Sequence, residues 1–96
     1  MARYTNPTPA ETLRAVKRAI REPYAWPGGY PLYIVMADGE ALSIDSAREN
    51  WRSICHSTIN GFRDGWQAYG AAVNWEDSDL ICAHSGAKIE SAYGEA

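Results

Sequence analysis

Four positions in this chain have the spacing of a four-thiolate metal site, yet only one of them carries a thiol. Ser43-Ile44-Asp45-Ser46 and Cys82-Ala83-His84-Ser85 would read CxxC…CxxC if cysteine stood at 43, 46, 82 and 85. That spacing sets four soft sulfur donors around a zinc ion. Three of the four are serine, whose hydroxyl stays protonated near neutral pH and is a poor zinc ligand. The expectation is a scaffold shaped like a metal site that folds without metal and needs no cofactor. A different metal set is conceivable, with Cys82 and His84 on one strand face and Cys55 from elsewhere. The simpler reading is that a histidine beside a cysteine is satisfied by hydrogen bonds.

Nucleophilic catalysis requires a nucleophile, a base and a group that orients the base. Cys82 with His84 or His56 is the only obvious pair. No glycine-rich oxyanion motif or nucleophile elbow accompanies it. Gly28-Gly29 lacks the GK[ST] ending of a phosphate loop and the helix that follows one. No catalytic residue is assigned, and the chain is expected not to be an enzyme.

Binding chemistry is better represented. Glu76, Asp77 and Asp79 adjoin Trp75, so acidic side chains flank an aromatic anchor. Trp26 and Tyr30 sit in a segment rich in proline and glycine and offer a second aromatic surface. Either could meet a protein, and the acidic group would suit the basic groove of a nucleic-acid-binding protein. The plainer readings are a solubilising turn and core rings. Arg14, Lys17, Arg18 and Arg21 occupy neighbouring turns of a helix and form an alternative nucleic-acid-binding face. Its plainer reading is a solvated face partly neutralised by Glu11 and Glu22.

The elements that must carry these residues follow from local patterning. Thr8-Pro9-Ala10-Glu11 combines a cap, a first-turn proline and a capping-box glutamate. Leu13, Val16, Ala19 and Ile20 then recur at helical spacing, which predicts a helix over 9–21 ended by Pro23. Residues 24–31 read as an ordered loop, and residues 32–36 as a strand. Asp38-Gly39 turns the chain into a second strand over 40–44. Asp45 or Ser46 starts a second helix, with Ala47, Trp51, Ile54, Cys55 and Thr58 on its buried face and Asn60-Gly61 as its stop. Residues 66–75 predict a third strand, broken at Gly70, and residues 80–83 a fourth. Lys88 to Tyr93 close the chain as a strand or one helical turn.

Composition fits one globular domain over residues 1–96, with residues 1–8 as a flexible arm. Four Trp and six Tyr against one Phe favour rings with polar handles, which suit half-buried sites and interfaces. Charge is uneven. Residues 1–37 hold five Lys/Arg and two Glu, a balance of +3, and residues 38–96 hold four Lys/Arg and ten Asp/Glu, a balance of −6. The net −3 argues against general nucleic-acid binding, which wants a strong positive field. Two cysteines make no disulfide framework, the start has no signal-peptide pattern, and the longest apolar run, residues 32–37, is too short to span a bilayer. The expectation is a soluble protein of a reducing, cytoplasmic compartment that does not enter membranes.

Two segments resemble a known group. Asp38-Gly39-Glu40-Ala41-Leu42-Ser43-Ile44-Asp45-Ser46-Ala47 resembles the DGExLCxxCA run of small bacteriophage and prophage proteins. Cys82-Ala83-His84-Ser85-Gly86-Ala87-Lys88-Ile89-Glu90-Ser91-Ala92-Tyr93-Gly94-Glu95 is similar to their CxHCGxxIxSAYxE tail, the more specific of the two. The resemblance spans roughly residues 22–95 and departs at the ligand positions, keeping only Cys82. It implies a phage or mobile-element origin and a zinc-ribbon-like ancestor. It also implies an accessory role, such as an anti-CRISPR or other anti-defence protein that occupies a host protein's working surface in the infected cell. The fold expected is α+β: an antiparallel sheet of three to four strands with two helices, derived from that scaffold.

Overall fold

A computed structural model describes residues 8–25, 28–75, 77 and 79–92. The first helix, α1 (Pro9–Arg21), starts as its sequence dictates. Thr8 Oγ1 accepts from the Glu11 N–H at 3.2 Å, and the Glu11 carboxylate accepts from the Thr8 N–H at 3.1 Å. Thr12, Val16 and Ala19 form its buried stripe. Arg48 Nη2 donates to the Ile20 carbonyl at 2.9 Å, where an uncapped helix end needs a donor.

The expected loop over 24–31 is instead a hairpin. Strand β1 (Tyr24–Ala25) pairs antiparallel with the start of β2 (Tyr30–Met36). β2 is the central strand. Strand β4 (Ala68–Val73) runs antiparallel along one of its edges, while β1 and the short β3 (Ala41–Leu42) take the other edge at its two ends. The ladder slips between Val35 and Met36: Val35 pairs with Gly70 and Met36 with Ala68, so Tyr69 is the extra residue. A bulge beside Gly70 therefore replaces the expected strand break. Thr12 Oγ1 donates to the Tyr69 carbonyl and Thr58 Oγ1 accepts from the Ala68 N–H, so two helices hold the bulged end of β4.

There are three helices among the described residues, not the two expected. Ser43, rather than Asp45 or Ser46, caps α2 (Ile44–Glu49), because its hydroxyl accepts from the Ser46 N–H. The chain then breaks at Asn50. Its side-chain amide donates to the Ser46 carbonyl at 2.9 Å, its backbone leaves the helical region at φ −112° and ψ 24°, and α3 (Trp51–Asn60) follows. Gly61 ends α3 at φ +67°, a left-handed conformation that glycine adopts without penalty. Ile54, Ser57 and Thr58 are buried on α3. Trp51 and Cys55 are only half-buried, although Trp51 does pack against the core.

The fourth strand expected at residues 80–83 contracts to a single bridge, Ile81 with Lys88. The chain between them folds into a tight knuckle instead. The Gly86 N–H donates to the Cys82 carbonyl, the Cys82 N–H to the Ala87 carbonyl, and the Ala83 N–H to the Ala41 carbonyl of β3. The last of these bonds sets the knuckle against β3. The core unites Val16, Ile34, Met36, Leu42, Ala47, Ile54, Cys82 and Ile89, so every helix and the tail contribute to it. The class is α+β, as the sequence predicts, with the helices packed on an antiparallel sheet. No helix among the described residues is long and apolar enough to cross a membrane.

Candidate functional site

The four positions with metal-site spacing do converge. Cys82 Sγ, on a residue 1% exposed, accepts from the Ser43 N–H at 3.3 Å and the Ser85 N–H at 3.5 Å. Ser46 Oγ lies 3.4 Å from it. The oxygens of Ser43 and Ser85 are already occupied as acceptors, by the Ser46 and Ala87 N–H groups. Their hydroxyl protons remain available for the sulfur. Burial pushes this thiol up. The hydroxyls of Ser43, Ser46 and Ser85 and the Ser43 N–H outweigh burial and bring it down to about 6, against an ordinary value of 9.0. The serines thus act as hydrogen-bond donors to one thiolate where four thiolates would surround an ion. The spacing made the convergence of these positions legible, but not this role.

The catalytic and alternative metal readings do not assemble. His84 is exposed with its ring against Trp66, centroids 5.3 Å apart, and His56 lies edge-on to Phe62 at 5.2 Å. Cys55 is half-buried on α3, and burial raises its thiol. Among the described residues no three His, Cys, Asp or Glu side chains are placed to hold a metal ion together. Purified protein should accordingly contain far less than stoichiometric zinc, and a chelator should leave its melting temperature unchanged. Zinc lost together with helix content would reverse this conclusion, because the binding energy of a structural metal appears as folding stability.

The two aromatic surfaces read separately from the sequence meet in space. Tyr30, at the start of β2, and Trp75, just past β4, have ring centroids 4.6 Å apart at an interplanar angle of 54°. Trp75 remains 49% exposed. A Cβ at Gly28 would overlap the Tyr30 ring, so glycine there lets the ring fold back over the turn. Asp77 and Asp79 follow as an exposed acidic turn. The Asp77 carboxylate accepts from the Asp79 N–H at 3.0 Å. Trp26 and Glu76, assigned to the same surfaces, lie outside the described residues.

Asn74 organises this region and was not singled out from sequence. It is 4% exposed. Its amide donates to the carbonyls of Asp77, Ile89 and Glu90 at 2.9, 3.4 and 3.1 Å, and its Oδ1 accepts from the Asp77 N–H. Its own carbonyl accepts from the Ala92 N–H. One side chain thereby joins the end of β4, the acidic turn and the tail. An asparagine at a strand end before an acidic turn is the signal that could have marked it.

Arg14, Lys17, Arg18 and Arg21 lie on the exposed side of α1, and all four line one open groove of about 820 Å³ that also takes in Tyr24, Leu32 and Ala71. Among the described residues none of the four makes an ion pair, whereas Arg48 pairs with Asp45 at 3.1 Å. No family model, curated protein or solved structure matches the chain.

Proposed function

We propose that this protein is a non-enzymatic accessory protein of a phage or mobile element that binds and inhibits a host protein. The partner class that fits is a nucleic-acid-binding component of a bacterial defence system such as CRISPR-Cas, met in the cytoplasm of the infected cell. The motif resemblance supports the origin. The Tyr30–Trp75 ring pair beside a pinned acidic turn supports the mode of action. A half-exposed tryptophan braced by a second ring loses little freedom on binding, which favours it as an anchor. Asp77 and Asp79 would steer a basic surface toward that anchor and align it there.

The test is capture of a host protein by wild type and three variants. Trp75→Ala removes the anchor. Gly28→Ala displaces the Tyr30 ring while touching only its flexible far end. The set Glu76→Lys, Asp77→Asn and Asp79→Lys inverts the charge while leaving an oxygen to hold the turn. All three should lose the partner, and wild-type binding should weaken with added salt. Exposed turn acids contribute little to stability, so the charge variant should melt within a few degrees of wild type. Wild type should also block the partner's nucleic-acid binding. If the three variants capture the same protein with unchanged affinity, the surface is misassigned.

A further inference from the structure

We propose that the groove between α1 and the sheet binds single-stranded nucleic acid. This inference uses residues separate from the Tyr30–Trp75 surface and does not rest on that reading. One wall is α1, which contributes Arg14, Lys17, Arg18 and Arg21. The opposite side is Tyr24 of β1, with Leu32 of β2 and Ala71 of β4 as an apolar floor. The cations span the eight residues 14–21, about 10 Å of helix, so they form a row able to meet successive phosphates. Three of them are arginine, whose planar fork binds phosphate through two parallel bonds and also stacks on bases.

Ordinary surface cations sit beside acids that partly neutralise them. Here Glu11 is bonded back to the Thr8 cap, from which it still acts on Arg14, and Asp45 is held by Arg48. Glu90 accepts the Tyr24 hydroxyl at 2.9 Å. Only Glu22 among the groove's lining residues carries negative charge. The Glu90 bond also fixes the Tyr24 ring at the groove's edge, where it is 41% exposed. Cations along one side and a ring over an apolar floor on the other are the two components of single-strand binding: electrostatic tracking of the backbone and base stacking. An acidic peptide would use the cations and leave the ring and floor without a specific role. The net charge of −3 opposes long-range attraction, so affinity should be modest and strongly salt-dependent.

The experiment is fluorescence anisotropy with labelled DNA and RNA strands of about twelve nucleotides, enough to span one such groove, titrated at several salt concentrations. A duplex of equal length and an acidic peptide serve as competitors. Wild type should bind the single strands with a log affinity falling by roughly 2–3 per decade of salt, as four phosphate contacts require. Arg14→Gln/Arg18→Gln/Arg21→Gln should weaken binding at least about tenfold and flatten that slope toward the single remaining cation. Tyr24→Phe should retain binding, and Tyr24→Ala should lose severalfold affinity, with melting curves confirming that each variant is folded. A preference of RNA over DNA, or the reverse, would assign the source of the strand. Absence of binding at low salt would overturn the proposal, as would unchanged affinity in the triple variant or displacement by duplex or acidic peptide at lower concentration than by single strand.

Discussion

Between about pH 6 and pH 9 the folded protein should become more stable as pH rises, and Cys82→Ala should remove that rise. In this window the unfolded chain keeps a proton on Cys82, whose ordinary value is 9.0, while the folded chain has released it at about 6. Unfolding therefore takes up a proton, and stability climbs with pH. The contribution is complete above the unfolded value and is lost as pH falls through the folded one. A difference of this size corresponds to roughly 4 kcal/mol in full, from about 1.4 kcal/mol for each unit. The physical source is hydrogen bonding between one sulfur and Ser43, Ser46 and Ser85, including the donating Ser43 and Ser85 N–H groups, which favours the charged form more than burial opposes it. Urea titrations across the window give the measurement. The difference curve between wild type and Cys82→Ala isolates this group from Cys55, whose raised value acts in the opposite sense. A difference curve that is flat from pH 6 to 9 would show that the sulfur stays protonated.

Asn74→Ala should destabilise the protein by roughly 3 kcal/mol. The Ile89 and Glu90 carbonyls and the Asp77 N–H lose a partner, while the Asp77 carbonyl keeps the Leu80 N–H, and each unsatisfied group costs about 1–3 kcal/mol unless water or the relaxing chain meets it. A domain of this size has about 5–15 kcal/mol in total, and the loss would lower its melting temperature by about 12–24 °C. Asn74→Asp is the informative partner. It keeps the acceptor for the Asp77 N–H but replaces the donor facing three carbonyls with a negative oxygen, so it should be no better tolerated than alanine. The damage should also concentrate at the acidic turn and tail, read as faster hydrogen exchange of Asp77 and Ala92 than of α1. A loss under about 1 kcal/mol for Asn74→Ala would mean that Ile89 burial and the tail's backbone bonds hold it without the Asn74 side chain.

The sequence by itself determined those elements whose causes lie within a few residues. The capping box at Thr8 and Glu11 and the apolar stripe through Val16 and Ala19 define α1 to its ends, since caps and helical periodicity are local. The Asp38-Gly39 turn and the αL stop at Gly61 were legible for the same reason. The convergence of residues 43, 46, 82 and 85 was legible because spacing of that kind records a shared centre. Tertiary structure alone decided the rest. Ser43 rather than Asp45 caps α2, and Asn50 breaks one expected helix into two, because competing hydrogen bonds settle which of several adequate polar residues is used. Residues 80–83 fold as a knuckle, because their backbone bonds go to Ala41 and to the returning tail rather than to a sheet edge. The pairing of Tyr30 with Trp75 and the placement of four helix cations over Tyr24 and Leu32 join residues far apart in the chain. Such contacts follow from how β1, β2 and β4 are registered, and no local pattern encodes that register.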